Sequence, residues 1–222
     1  MTETRPLAVL WDMDGTLIDS EPYWLLSEKN LADSHGKQWS EQDGLDLIGQ
    51  SLYDSSRTIQ EKLGSNLSPE EIMHQLTDAV VAQLNQEISW RPGAIELLTE
   101  LRAHGVKTAL VTMSLGRMAR AVADQIPFHA FDVVVAGDDV SKGKPDPEPY
   151  LKAAELLGVA PEACVAIEDS PTGLRSAIAA GTKAVGVTNF VALPEGEDRT
   201  IWSSLTGKKL TDLAALFDED KF

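Results

Sequence analysis

Five short apolar runs limit what this chain can fold into: Leu7–Trp11, Thr108–Val111, Val133–Ala136, Val165–Ile167 and Ala184–Val187. None alternates cleanly between apolar and polar residues. A strand that is apolar on both sides needs cover on both sides, as in a buried parallel sheet. Helical patterns separate the later runs. Ala94–His104 carries Ile95, Leu97, Leu98 and Leu101 and stops at Gly105. Pro149–Leu157 stops at Gly158, and Pro171–Ala180 stops at Gly181. Helix, glycine, strand recurs three times, so the pattern predicts an α/β fold of βαβ units.

The interval between Asp19 and Trp90 breaks this rhythm and contains no convincing strand. Tyr23–Ala32, Glu41–Ile48, Ser55–Leu63 and Pro69–Glu87 all read as helices. Ser68-Pro69-Glu70-Glu71 has the form of a helix start: a capping hydroxyl, a proline, then acids at the positive end of the dipole. Proline and glycine mark both borders, at Glu21-Pro22 and at Arg91-Pro92-Gly93. The expected division is a sheet core from residues 1–21 and 91–222 with a helical domain, 22–90, inserted in it. The stretch from Pro194 to Phe222 is polar except for one amphipathic segment, Leu210–Phe217.

The chain has 222 residues, 43% of them hydrophobic, which is enough to bury a core. Its 35 acids outnumber its 19 bases, for a net charge of −16. Nucleic acid and anionic membranes need a basic surface, so neither is an expected partner, and no protein partner is implied. An anionic substrate would require a site that locally inverts the field of the whole protein. Cys164 is the only cysteine, which rules out an intrachain disulfide and a thiolate zinc cluster. His35, His74, His104 and His129 are scattered. Any metal would sit on carboxylates, and that favours Mg2+. The first apolar run is too short for a signal peptide or a membrane span, so the expected setting is cytoplasmic.

The candidate chemistry falls at strand ends. Asp12-Met13-Asp14-Gly15-Thr16 follows the first run directly. Residues two apart on an extended segment share a face, so Asp12 and Asp14 project together from the carboxyl end, where open α/β sheets bind ligands. Two close carboxylates repel unless a cation joins them or one takes a proton. Gly15 lets the backbone turn tightly. Thr112-Met113-Ser114 ends the second run, and a hydroxyl there can cap the next helix or bind a phosphate with its amides. Gly143 and Pro145 brace Lys144; Pro145 stands where a P-loop needs Ser or Thr. Glu168-Asp169-Ser170 ends the fourth run. Asp169 or Ser170 can cap the helix begun at Pro171. If the first and fourth runs lie side by side, four carboxylates meet at one edge, and a divalent cation is the natural compensation.

Taken together, these motifs resemble the haloacid dehalogenase superfamily, in the branch similar to β-phosphoglucomutase and small sugar-phosphate phosphatases. The resemblance runs from Leu7 to about Val187. It implies a Rossmann-like core with an inserted α-helical cap. By that resemblance Asp12 is the nucleophile, Asp14 the general acid and base, Thr112 the strand-end hydroxyl and Lys144 the lysine of the motif. Mg2+ is expected on Asp12, on the backbone carbonyl of Asp14 and on Asp169, with Glu168 acting through water. Met13, Gly15 and Ser114 would line the phosphate subsite.

The implied reaction is hydrolysis of a small phosphorylated metabolite through an aspartyl phosphate. The nearest rival is a phosphomutase, whose cap must hold a second phosphate. By resemblance, that pattern has a histidine where this chain has Trp24, and a lysine and an arginine where Ile48 and Leu52 align. A hydrolase is therefore preferred. A non-catalytic phosphate-binding module is a further alternative. Cap contacts to substrate are expected from Tyr23, Trp24, Gly49, Gln50, Ser51 and Arg57. With few cap cations, a monophosphate with a hydroxylated or uncharged leaving group fits best.

Overall fold

A computed structural model describes residues 5–48 and 50–217. Its centre is one six-stranded sheet, all parallel: β1 (Ala8–Trp11), β2 (Lys107–Val111), β3 (Val133–Val135), β4 (Cys164–Glu168), β5 (Lys183–Val187) and β6 (Arg199–Trp202), in the spatial order β3-β2-β1-β4-β5-β6. The five apolar runs become β1 to β5. The sixth strand lies inside the stretch expected to be a polar tail. It is an edge strand, half-exposed except at Trp202, so it never had to be a continuous apolar run.

β1 is the switch point. The chain leaves it for β2 and β3 on one side and for β4, β5 and β6 on the other, which opens a crevice at the carboxyl ends. Trp11 pairs with Leu110 of β2 and with Ile167 of β4. Asp12 therefore emerges beside the ends of both neighbours. The two faces of β1 serve two cores. Val9 and Trp11 pack with α5 (Ala94–Ala103), α6 (Gly116–Ala123) and α9 (Leu210–Ala215). Ala8 and Leu10 pack with α7 (Glu148–Leu157) and α8 (Pro171–Ala179). This double cover explains why the strands show no alternation.

Between β1 and α5 come four helices: α1 (Glu21–Ser34), α2 (Glu41–Leu45), α3 (Leu52–Leu63) and α4 (Pro69–Leu84). Leu31, Ala32, Trp39, Leu47, Ile59, Leu63, Ile72 and Leu76 form a core of their own. The start of α4 is a full capping box: Ser68 Oγ accepts from the Glu71 amide at 3.2 Å, and the Ser68 amide donates to Glu71 at 2.7 Å. The two crossings run side by side, tied by Asp19 N–H to Ser89 O and Arg91 N–H to Leu17 O. Among the described residues no helix is long and apolar enough to cross a membrane.

Candidate active site

A cavity of about 560 Å³ lies between the carboxyl ends of β1, β2 and β4 and the four-helix layer. Its sheet side carries Asp12, Asp14, Gly15, Thr112, Met113, Ser114, Lys144 and Asp169; its helical side carries Trp24, Gln50 and Ser51. Residues from six separate stretches thus converge because each follows a strand or faces the crevice.

Asp12 is buried, and its Oδ1 accepts from Lys144 Nζ at 2.7 Å. Among the described residues its second oxygen carries no hydrogen bond. Burial, and then Glu168, pushes its carboxyl well above the ordinary carboxylate range, against the pull of Lys144. Lys144 also donates to Val111 O at 2.9 Å and lies 2.6 Å from Glu168 Oε1. Burial works against its charge, but Asp12 and Glu168 override it and raise the amine above its usual range. Lys144 is therefore a fixed cation.

Asp14 is held by four donors. Ser20 Oγ (2.7 Å) and Trp24 Nε1 (3.4 Å) reach Oδ1; Thr112 Oγ1 (3.2 Å) and Ser114 Oγ (2.7 Å) reach Oδ2. The Ser114 amide donates in turn to Thr112 Oγ1. Met13 is fully buried, and its carbonyl accepts from the amides of Thr16, Leu17 and Ile18, closing the turn after β1. Gly15 sits at φ 84°, and a Cβ there would overlap the Asp169 carboxylate.

Carboxylate oxygens of Asp12, Glu168 and Asp169 lie within 4.8 Å of one another. Three such groups against one lysine leave an excess of negative charge on hard oxygen donors, and this chemistry fits Mg2+. Burial, then Glu168, lifts Asp169 to about 7, while Asn189 Nδ2 donates to its Oδ2 at 3.2 Å. Glu168 is fully buried and lies beneath the lining, accepting from Tyr150 Oη at 2.6 Å and Ser170 Oγ at 3.2 Å.

Not every expected contact reaches the cavity. Arg57 is more than half exposed and pairs with Asp54 at 3.3 Å, away from the lining. Tyr23 straps the crossing instead: its hydroxyl donates to Glu87 O and accepts from the Ser89 amide. Gly49 lies outside the described residues. Several neighbours were not anticipated. Ser20 and Asn189 each hold a site aspartate, Tyr150 holds Glu168, and Glu21 and Glu28 line the helical side. Asn189 was the most findable, since it follows the end of β5.

A model of the haloacid dehalogenase-like hydrolase family matches residues 9–187. The chain belongs to that family, in the branch of β-phosphoglucomutase-like proteins and sugar-phosphate phosphatases, and its enzyme class is phosphoric monoester hydrolase. It is 35% identical over 188 residues to the bifunctional riboflavin kinase/FMN phosphatase of Arabidopsis thaliana, covering 82% of this chain but 48% of that protein, about half its length. It is 35% identical over 181 residues to hexitol phosphatase A of Escherichia coli, covering 80% of this chain and 81% of that one. A crystal structure of a CbbY mutant from Rhodobacter sphaeroides, in complex with xylulose-1,5-bisphosphate, superposes with a TM-score of 0.83 at 26% identity, covering 94% of this chain and 99% of that one.

Proposed function

We propose that this protein is a Mg2+-dependent phosphatase for a small, hydroxylated phosphate monoester, working through an aspartyl phosphate on Asp12. One observation carries the reading: Asp12, Asp14, Lys144 and Asp169 line a single cavity at the switch point of the sheet. In this reading helices α1–α4 are the cap that completes the cavity and chooses the leaving group.

Asp12 would attack phosphorus with the oxygen that Lys144 does not hold. Lys144 would neutralise charge on the transferring group without moving, because Val111 O and Glu168 fix its position. Thr112 and Ser114 are within reach of Asp14 and of any phosphate placed over Asp12; their hydroxyls would turn from the carboxylate to the phosphate oxygens. Asp14 would give a proton to the departing alcohol and take one from the water that cleaves the acyl phosphate. Asp12 and Asp169 would hold the Mg2+, with Glu168 behind them. Bound there, the ion supplies charge neutralisation for a phosphoryl group entering a protein of net charge −16.

The cap side argues for hydrolysis over phosphate shuttling. Lys144 is the only cation among the described residues that line the cavity. Of the four bases in the insert, Arg57 and Lys62 are engaged elsewhere, with Asp54 and Asp43. Among the described residues, nothing on that wall matches a second phosphate. The test is release of inorganic phosphate from p-nitrophenyl phosphate. Release that needs Mg2+ and stops with a chelator is expected. Equal rates with and without chelator would remove the metal from the scheme, and no release would remove the activity.

A further inference from the structure

Helix α1 turns one polar stripe toward the cavity. Glu21, Trp24 and Glu28 stand at i, i+3 and i+7, so they share a face, and all three line the cavity. Trp24 is accounted for by its bond to Asp14. The two glutamates have no part in the chemistry above. Glu28 is only 6% exposed, and a buried carboxylate is costly unless it is used or paired. Among the described residues no cation pairs with it. It is nevertheless held in place: Trp39 Nε1 donates to its Oε2 at 3.2 Å. Gly44 leaves room beside it, since a Cβ at that position would come within 2.9 Å of the same oxygen. An arrangement that anchors one oxygen of an unpaired acid against a cavity leaves the other available to a ligand.

We propose that Glu28, with Glu21, determines specificity by accepting hydrogen bonds from hydroxyls of the leaving group and by repelling leaving groups that carry a second anion. This rests on the phosphatase reading and adds the residues that choose the substrate. The neighbouring wall agrees. Gln50, Ser51 and Ser55 are neutral groups that can meet hydroxyls as donor or acceptor, and Leu47, Ile48 and Met73 supply apolar contact. Burial lifts both glutamates to about 7, so an accepted hydroxyl would bond to an acid that is partly ionised near neutral pH. The substrate class is a polyol or sugar monophosphate with donors several atoms from the ester oxygen.

The experiment compares kcat/KM for four esters with Mg2+: glucitol 6-phosphate, 2-phosphoglycolate, phosphoethanolamine and p-nitrophenyl phosphate. The wild type, Glu28→Gln and Trp39→Phe are assayed side by side. The readout is the ratio of each ester to p-nitrophenyl phosphate, which offers no hydroxyl donor, so a partly misfolded variant does not distort it. In Glu28→Gln the glucitol ratio should fall by about tenfold, the worth of one charge-assisted hydrogen bond, and the phosphoglycolate ratio should rise. Trp39→Phe, which keeps the acid but frees it, should lower the glucitol ratio by less. Ratios identical to wild type in both variants would overturn the assignment while leaving the phosphatase standing. A wild-type preference for phosphoethanolamine over the polyol ester would overturn it in favour of an ammonium group. Absence of p-nitrophenyl phosphate turnover in the wild type would overturn the phosphatase reading and this assignment with it.

Discussion

Asp12, Asp169, Glu21 and Glu28 are raised, not lowered, and that fixes how the protein should respond to pH. Burial and mutual repulsion push Asp12 well up and bring Asp169, Glu21 and Glu28 to about 7. A carboxyl whose folded pKa exceeds its unfolded value favours the fold while protonated. That contribution is complete below the unfolded value near 4 and, for Asp169, Glu21 and Glu28, is lost as pH rises through about 7. In chelator, the melting temperature should therefore fall by a few degrees between about pH 5 and pH 8. Mg2+ held as proposed would favour the ionised form of Asp12 and Asp169, so its stabilisation should grow over the same window. Differential scanning fluorimetry with and without Mg2+ checks both slopes; a metal-free melting temperature that climbs with pH would contradict them. Which residues could be read in advance follows from position. Asp12, Asp14, Thr112 and Asp169 follow apolar runs, so a strand end places them. Tyr150 looks like one more apolar helix residue, and only the packing of α7 on the sheet shows that its hydroxyl meets Glu168. Arg57 was misplaced by helix phase. Ser55, Ile59 and Leu63 form the inward stripe of α3, and Arg57 lies about 200° around the helix from Ser55.

At the level of elements, the helix that follows β4 does more than cover the sheet. α8 is capped by Ser170, whose Oγ accepts from the Gly173 amide at 3.0 Å and donates to Glu168 Oε2 at 3.2 Å. The first turn of the helix thus packs directly on the buried carboxylate, and a Cβ on Gly173 would overlap the Glu168 carboxyl group. Gly173→Ala should destabilise the protein by about 1–3 kcal/mol, as overpacking does, despite the better helix propensity of alanine. It should also displace Glu168 and lower activity. Urea denaturation beside a phosphate-release assay separates this from a simple helix effect; a variant more stable than wild type would show that the carboxylate is not wedged there. Elements with strong local patterns were legible: the Ser68 cap, the glycine stops after α5, α7 and α8, and the parallel strands. β6 was not, because an edge strand with one buried residue has no pattern of its own and is defined by pairing with β5.

For the whole molecule, the charge of −16 and the anionic substrate are reconciled locally. Lys144, the only lining cation among the described residues, is fixed at the sheet end of the cavity, and acids and apolar groups occupy the helical end. In the proposed reading such polarity would orient a monoester with its phosphate over Asp12 and its alcohol toward α1. Two proline-marked borders set off the helical stretch in the sequence, but the content of the helical wall depends on how four helices pack, which no strand-like rule fixes. Everything turns on Asp12 carrying the phosphoryl group in transit. The direct measurement is acid quenching during steady turnover of p-nitrophenyl phosphate with Mg2+, borohydride reduction, and mass spectrometry of the peptide containing Asp12. Conversion of Asp12 to homoserine, absent without substrate and absent in Asp12→Asn, is expected, together with a loss of turnover in that variant of at least about 10³-fold. Phosphate release with Asp12 unmodified at every quench time, or undiminished in Asp12→Asn, would contradict it.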